Sequence, residues 1–331
     1  MRVSTYGMVR NYNKLLSRAM VQMNNANMKV ITGKNFLRAS ESPAEAAKAK
    51  SMNKQYERNE NYLRNIRDTK GMFDTMFDSK MMIMNSITEV REDDVERAIN
   101  GTMTDDERMI FSEKLRGMQE QLVMNLNASY NDQFLFGGTG TKGNPPFKFE
   151  EGKLYYRGLD VEDPDNQDAL SQLADETVYL DFGFGISFSE PGKVIPGSAF
   201  NVSAPGINFI GFGLDEDGMS NNIIVALGNL ADALSPPYDV EKTGEIFDKL
   251  KTQRQFLLED ITLMGASTKF LESTEKRLED QQFHLENRLQ QVFFKEPAEA
   301  IMDFQMRQYT YNAALKMGSN ILSPSFIDFM R

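Results

Sequence analysis

Two widely separated stretches of this chain keep an unbroken alternation of three- and four-residue steps. In the first, Met52, Tyr56, Asn59, Leu63, Ile66, Lys70, Phe73, Phe77, Lys80, Met84 and Ile87 fall in register. In the second, Leu250, Leu257, Met264, Leu271, Leu278, Leu285 and Val292 stand seven residues apart, with Ile261, Thr268, Glu275, Gln282 and Leu289 between them. Such a repeat predicts a long helix with a narrow seam for another helix, not a helix wrapped in a globule. At ~1.5 Å per residue the first stretch alone spans about 54 Å, so an elongated rod is expected. Polar residues at Thr268, Glu275 and Gln282 cost stability but restrict register. The two seams have similar length and the chain must return to its starting end, so antiparallel pairing of 52–87 with 250–292 is expected.

The same spacing continues toward both ends. Tyr12, Leu16, Ala19, Met23, Ala26 and Val30 form one stripe that breaks near Thr32-Gly33-Lys34. A new helix is predicted from Ser42-Pro43, where Ser42 caps and Pro43 takes the first helical position. Another begins at Asp105 with Phe111, Leu115, Met118 and Leu122 in register. After Pro297, Ile301, Phe304, Tyr311, Leu315 and Leu322 mark a last helix, followed by the apolar tail Phe326–Met330.

Between 137 and 236 glycine and proline take over. Phe182, Phe184, Ile186 and Phe188 alternate with small residues and predict a half-buried strand, as do Leu154–Arg157, Thr177–Leu180 and Asn208–Phe212. Pro191-Gly192, Pro196-Gly197 and Pro205-Gly206 read as turns. The expected fold class is therefore mostly α with an inserted β-rich domain. Residues 1–136 and 237–331 make a discontinuous helical core, with terminal helices 1–40 and 301–331 and a rod of 42–136 and 237–297. Residues 137–236 form the insert, which enters and leaves at neighbouring turns and is expected to be dispensable for the core. Each terminal stripe is too narrow to hold an isolated helix in water, so residues 1–40 and 301–331 are expected to be poorly ordered in the free monomer and to become helical only in the polymer.

Charge excludes several functions. The net charge is -11, yet residues 1–40 carry Arg2, Arg10, Lys14, Arg18, Lys29, Lys34 and Arg38 and no acid, which leaves -18 for the remainder. The basic residues are spread singly along a helix, unlike the clusters that displace counterions from phosphate, so no nucleic-acid partner is expected. Apolar runs such as Met81–Met84 fall far short of the ~18–20 residues of a membrane span. Met1–Gly7 is not followed by the apolar segment and cleavage site of a secretory signal. The chain has no Cys, and its single His is His284, so thiolate metal sites and cysteine nucleophiles are excluded.

Nothing else assembles a catalytic centre. Gly137-Gly138-Thr139-Gly140 resembles a phosphate loop, but Pro145-Pro146 follows where the loop needs a helix. His284 sits beside the Leu285 seam as a solvated helix residue. Glu92-Asp93-Asp94 and Asp215-Glu216-Asp217-Gly218 lack the closing Glu of a calcium loop, and read as a solvated face and a turn. The 21 Met residues fill seams more often than they would line a pliable binding surface. No enzyme activity, cofactor, metal or small-molecule substrate is expected.

Three stretches carry a resemblance. Met1–Thr5 with Val30–Ala44, including Ser40-Glu41-Ser42-Pro43; Asn127–Thr139 leading to Pro145-Pro146-Phe147; and Tyr311-Asn312-Ala313-Ala314-Leu315 through Phe326-Ile327-Asp328-Phe329 resemble the hook-associated junction type of the flagellin family. Glu41 and Ser42 stand where that family usually carries acids, and Pro324 interrupts its final helix. The resemblance implies a structural part of the bacterial flagellum that joins hook to filament and is extracellular, exported without a cleaved signal. It implies a homo-oligomeric ring, neighbours among hook-associated protein and flagellin, and an export chaperone. It places the assembly interface on Tyr12, Leu16, Met23, Val30, Phe304, Tyr311, Leu315, Leu322, Phe326 and Phe329. A filament flagellin shares these helical ends, and a cytoplasmic coiled-coil adaptor with a β-rich head is the alternative of a different class.

Overall fold

The computed structural model describes residues 5–90, 92–140, 142–150, 152–190, 193–195 and 197–327. The helices are α1 Thr5–Thr32, α2 Pro43–Thr88, α3 Glu92–Ile99, α4 Asp105–Leu126, α5 Gln167–Ala174, α6 Gly206–Ile210, α7 Ile223–Ala233, α8 Val240–Phe293 and α9 Pro297–Ile327. Short strands lie between α4 and α6: β1 Ser129–Tyr130, β2 Gln133–Phe134, β3 Phe147–Glu150, β4 Lys153–Tyr156, β5 Leu159–Asp160, β6 Tyr179–Leu180, β7 Phe188–Glu190, β8 Lys193–Val194 and β9 Phe200–Asn201. The chain is thus mostly helical, with long helices from both ends and a small strand-bearing insert. It divides into two compact units, one of residues 1–61 and 279–331 and the other of 62–278.

In the first unit, α1 breaks where expected, with Gly33 at φ +68° in the left-handed region that favours glycine. The chain then runs beside the end of α8. The Asn35 amide donates to the Phe293 carbonyl at 2.7 Å and the Lys295 amide to Gly33 at 2.9 Å, while Phe36 stacks on Phe293 at 5.8 Å. The Asn35 side chain donates to Glu45 at 2.9 Å and ties this crossing to the first turn of α2. Further along, Gln282 donates to the Tyr56 hydroxyl at 3.2 Å, so the outer parts of α2 and α8 run antiparallel.

In the second unit the same antiparallel order holds. Arg67 donates to Glu275 at 2.9 Å, Lys70 to Glu275 at 3.3 Å, and Lys80 pairs with Asp260. Leu250, Leu257, Met264, Leu271 and Leu278 are buried in one row, as are Leu63, Ile66, Phe73 and Ile87 on α2. The polar seam residue Glu275 therefore has a defined partner: its carboxylate takes two cations from α2, which fixes register. From Phe73 onward α2 buries a second row, Met76, Ser79 and Ile83, because the insert packs on that side.

The insert is built on α4. Thr104 and Glu107 form a reciprocal capping box that starts this helix. Its inner face meets α7, where Gln119 donates to the Ile224 carbonyl at 3.0 Å and Ser112 to Ala231 at 2.7 Å. Gly228 admits this contact, since a Cβ there would lie 2.6 Å from the Gln119 amide. Strands β3, β4 and β5 form an antiparallel meander whose Phe147, Leu154 and Tyr156 are buried with Phe136 and Phe182. Each full burial of such a side chain stabilises by ~1.5–3 kcal/mol.

Two expectations are corrected. Residues 182–187 form a turn leading into β7, and only Phe188 of the expected strand lies in one. The Asp181 carboxylate accepts from the amides of Gly183, Phe184 and Gly185 at 2.8–3.0 Å, and Gly183 and Gly185 take φ +89° and +80°. Asn208–Phe212 overlaps α6 instead of a strand, because Pro205-Gly206 opens a helical turn. The insert also packs on the helices: Phe136, Phe147, Phe182, Leu227 and Leu230 share one apolar cluster with α2, α4 and α8. Pro191-Gly192 and Pro196 lie outside the described residues.

Candidate assembly site on the terminal helices

Helices α1 and α9 lie antiparallel against each other. Gln22 accepts from Arg307 at 3.1 Å, and ten residues earlier the Tyr12 hydroxyl donates to the Ala314 carbonyl at 3.1 Å. The face of α1 turned to α9 is the stripe read from the sequence: Tyr12, Leu16, Ala19, Met23 and Val30 are half-buried and Ala26 is buried. On α9 the facing row is Ala300, Phe304, Tyr311, Ala314 and Gly318. Gly318 is dictated by Tyr12, whose phenol occupies the space a Cβ would fill. Both terminal helices are thus ordered within one chain, because each supplies the partner that the narrow stripe of the other needs.

The predicted interface residues separate on this geometry. Tyr12, Leu16, Met23, Val30, Phe304 and Tyr311 come together between the helices. Leu315 is 43 % exposed and Ile301 44 %, so these two of the expected apolar row on α9 lie at its exposed margin. Leu322 and Phe326 lie within α9, but their side chains fall outside the described residues, as does all of Phe329.

Sequence reasoning missed a second apolar row on α9. Met302 (62 % exposed), Met306 (70 %), Tyr309 (76 %) and Met317 (67 %), with Ala313, follow steps of three and four on the side turned away from α1. That spacing is legible in the sequence, but it interleaves with the inner stripe, and a single stripe per helix is the simpler expectation. Helix α1 likewise exposes Met8, Leu15, Met20, Val21, Met28 and Ile31. A helix that is apolar on both sides yet covered on one has surface left for a further partner.

The chemistry-like motifs are internally satisfied. The Thr139 amide of the glycine loop donates to Glu176 at 2.8 Å, and Arg157 grips the same carboxylate at 2.9–3.0 Å; the loop therefore holds an anion of its own chain. Hydrogen bonds from Thr139 and Arg157 outweigh partial burial and keep the Glu176 carboxyl below its ordinary value. Burial pushes the Tyr156 phenol up to about 12, and it donates to Phe136 at 3.2 Å as a neutral structural group. Asp215 closes its turn by accepting from Asp217 and Met219 at 3.1 and 2.8 Å. His284 is exposed beside Phe283. Among the described residues no cluster of His and carboxylates has the arrangement of a metal site, and no helix is long and apolar enough to cross a membrane.

Residues 3–141 match the bacterial flagellin N-terminal helical region. No curated protein sequence matches the chain. Among solved structures, a Vibrio parahaemolyticus protein assigned as flagellar hook-associated superposes with a TM-score of 0.59 at 15 % identity, over 76 % of this chain and 99 % of its own. Bacillus cereus FlgL superposes with a TM-score of 0.53 at 16 % identity, over 72 % of this chain and 99 % of its own. Residues 3–141 are therefore similar to the bacterial flagellin N-terminal helical region, and the chain shares its fold with solved flagellar hook-associated proteins.

Proposed function

We propose that this chain is a structural subunit of the bacterial flagellum, placed at the junction of hook and filament, and that it assembles through α1 and α9. The observation that carries this reading is the second apolar row of α9, left open by the α1–α9 pairing. In a closed ring of copies each subunit covers on its neighbour what the single chain leaves uncovered. Tyr12, Leu16, Met23, Val30, Phe304 and Tyr311 then shape the pair, while the exposed rows meet other copies or neighbouring axial proteins. Passage to the cell exterior without a cleaved signal and escort by a chaperone that covers these rows belong to the same reading. The role is mechanical: the glycine loop and the Asp215 turn commit their polar groups to their own chain.

Electron microscopy with an antibody to residues 150–230 tests the placement. Label confined to the hook–filament boundary is the expected result. Label along the whole filament would make the chain a filament subunit, and label retained inside non-flagellate cells would favour the adaptor reading. Removing residues 301–331 should abolish incorporation while the second unit keeps its melting temperature.

A further inference from the structure

The exposed row of α9 has an unusual composition for a surface meant to stay apolar. Its apolar area is supplied by Met302, Met306 and Met317, each more than half exposed, with Tyr309 among them. The chain has neither Cys nor Trp, so peroxide meets no thiol, the side chain that would otherwise react first. Thioether sulfur is then its leading two-electron target, and exposure selects among the methionines. Met76 (2 % exposed), Met118 (7 %) and Met264 (7 %) are shielded in the core of the second unit.

We propose that Met302, Met306 and Met317 are sulfoxidation sites through which a peroxide-class oxidant blocks assembly of the free subunit. The sulfur lone pair attacks a peroxide oxygen; the S–O bond forms as the O–O bond breaks. Sulfur is oxidised by two electrons, and the departing hydroxide takes up a proton as water. The product is a polar sulfoxide in the middle of an apolar row. The backbone of α9 and its pairing with α1 are left in place, because Phe304, Tyr311, Ala314 and Gly318 on the facing row contain no sulfur and Met23, the thioether of the α1 row, is half-buried between the helices. Oxidation therefore spoils the outward surface without unfolding the chain, and copies already assembled are shielded by their neighbours. The consequence for assembly rests on the function proposed above; the modification itself does not.

The test uses the purified full-length chain, hydrogen peroxide as the oxidant, peptide mass mapping, and co-sedimentation with hooks isolated from cells lacking this chain. Sulfoxide should appear at 302, 306 and 317 before 76, 118 and 264, and the concentration needed for hook binding should rise about tenfold or more for each methionine made polar. Circular dichroism should be unchanged. A triple variant, M302L/M306L/M317L, should lose much less hook binding on peroxide treatment than the wild type, and adding M8L/M20L/M28L on α1 should abolish the loss, although the exposed Met82, Met109 and Met124 still oxidise. Simultaneous oxidation of the core methionines, undiminished binding by the oxidised wild type, or equal loss in the triple variant would each overturn the proposal. If the unoxidised chain ignores hooks while its α9 methionines still oxidise first, the modification sites stand and the assembly reading falls.

Discussion

The paired terminal helices and the second unit solve the same problem in opposite ways. In the second unit Ile66, Ile83, Leu115, Leu122, Phe136 and Leu271 are shielded completely, and polar seam residues such as Glu275 and Gln119 find partners within the chain. Along α1 the only described apolar side chain that is buried is Ala26, while Met20, Val21 and Ile31 stand open. One region closes its interface on itself; the other closes half. The difference teaches that a seam completed by its own chain adds stability, whereas a seam left over specifies what comes next.

The contrast breaks most severely if the insert is removed. Replacing residues 145–230 with a short linker deletes most of α7 along with Phe147, Tyr156 and Phe182, so the second unit should lose cooperative unfolding, followed by circular dichroism. Retention of a sharp transition would show that α2, α4 and α8 hold their core alone. A smaller but still large effect is expected from Leu271→Asp, which removes a fully buried apolar group and buries a charge, at a cost above about 3 kcal/mol. An unchanged melting temperature would place Leu271 on the surface.

The Lys80–Asp260 pair sharpens the comparison further. Burial pushes the Lys80 amine below its ordinary value against the pull of Asp260. Asp260→Ala strands a buried cation and should cost about 1–3 kcal/mol, whereas Lys80→Met should be neutral or stabilising because it removes the desolvated charge. Equal losses from both in denaturant titration would mean that the pair, not the burial, dominates. Gly318→Ala should act locally: the new methyl meets the Tyr12 phenol, so amide exchange in α1 accelerates while the second unit melts as before. Tyr12→Phe in the same chain should recover part of the protection. Acid gives the smallest effect. Hydrogen bonding to Arg67, with help from Lys70, holds the Glu275 carboxyl below its ordinary value. Its contribution is therefore present above the unfolded value of about 4.3 and lost as pH falls through the lower folded value, by less than about 1 kcal/mol for so accessible a pair. Glu275→Gln should flatten that part of the stability–pH curve.

The long helices were legible because period and punctuation agree: the α8 row of Leu250, Leu257, Met264, Leu271, Leu278 and Leu285 is buried residue for residue, and α2 and α4 start at Pro43 and Asp105 as expected. The insert was not, because its conformation depends on local polar chemistry and distant packing. Period two in Phe182–Phe188 gave way to three amides gathered by Asp181. Helix α7, apolar nearly all round, reads as helix only once α4 is there to receive it. On α1 the stripe read from the sequence, Tyr12, Leu16, Ala19, Met23, Ala26 and Val30, is buried or half-buried at every position. On α9, Ile301 and Leu315 were joined to a row of which they form the exposed margin, and the outer methionines, interleaved with that row, did not stand out from it.

The Tyr12–Ala314 hydrogen bond joins residues 302 positions apart, and that distance bears on time as well as structure. Closing so long a loop is entropically slow unless the intervening chain has already contracted. The second unit should therefore form first and bring residues 33–35 and 293–295 together, after which α1 and α9 zip from that crossing outward. Pulse-labelled hydrogen exchange during refolding should show α1 protected after α4, and the reverse order would contradict this sequence of events. A ribosome or any narrow conduit that delivers the chain from one end keeps Tyr12 waiting until the last helix emerges, so the paired terminal helices come into being only on molecules whose synthesis and passage are complete.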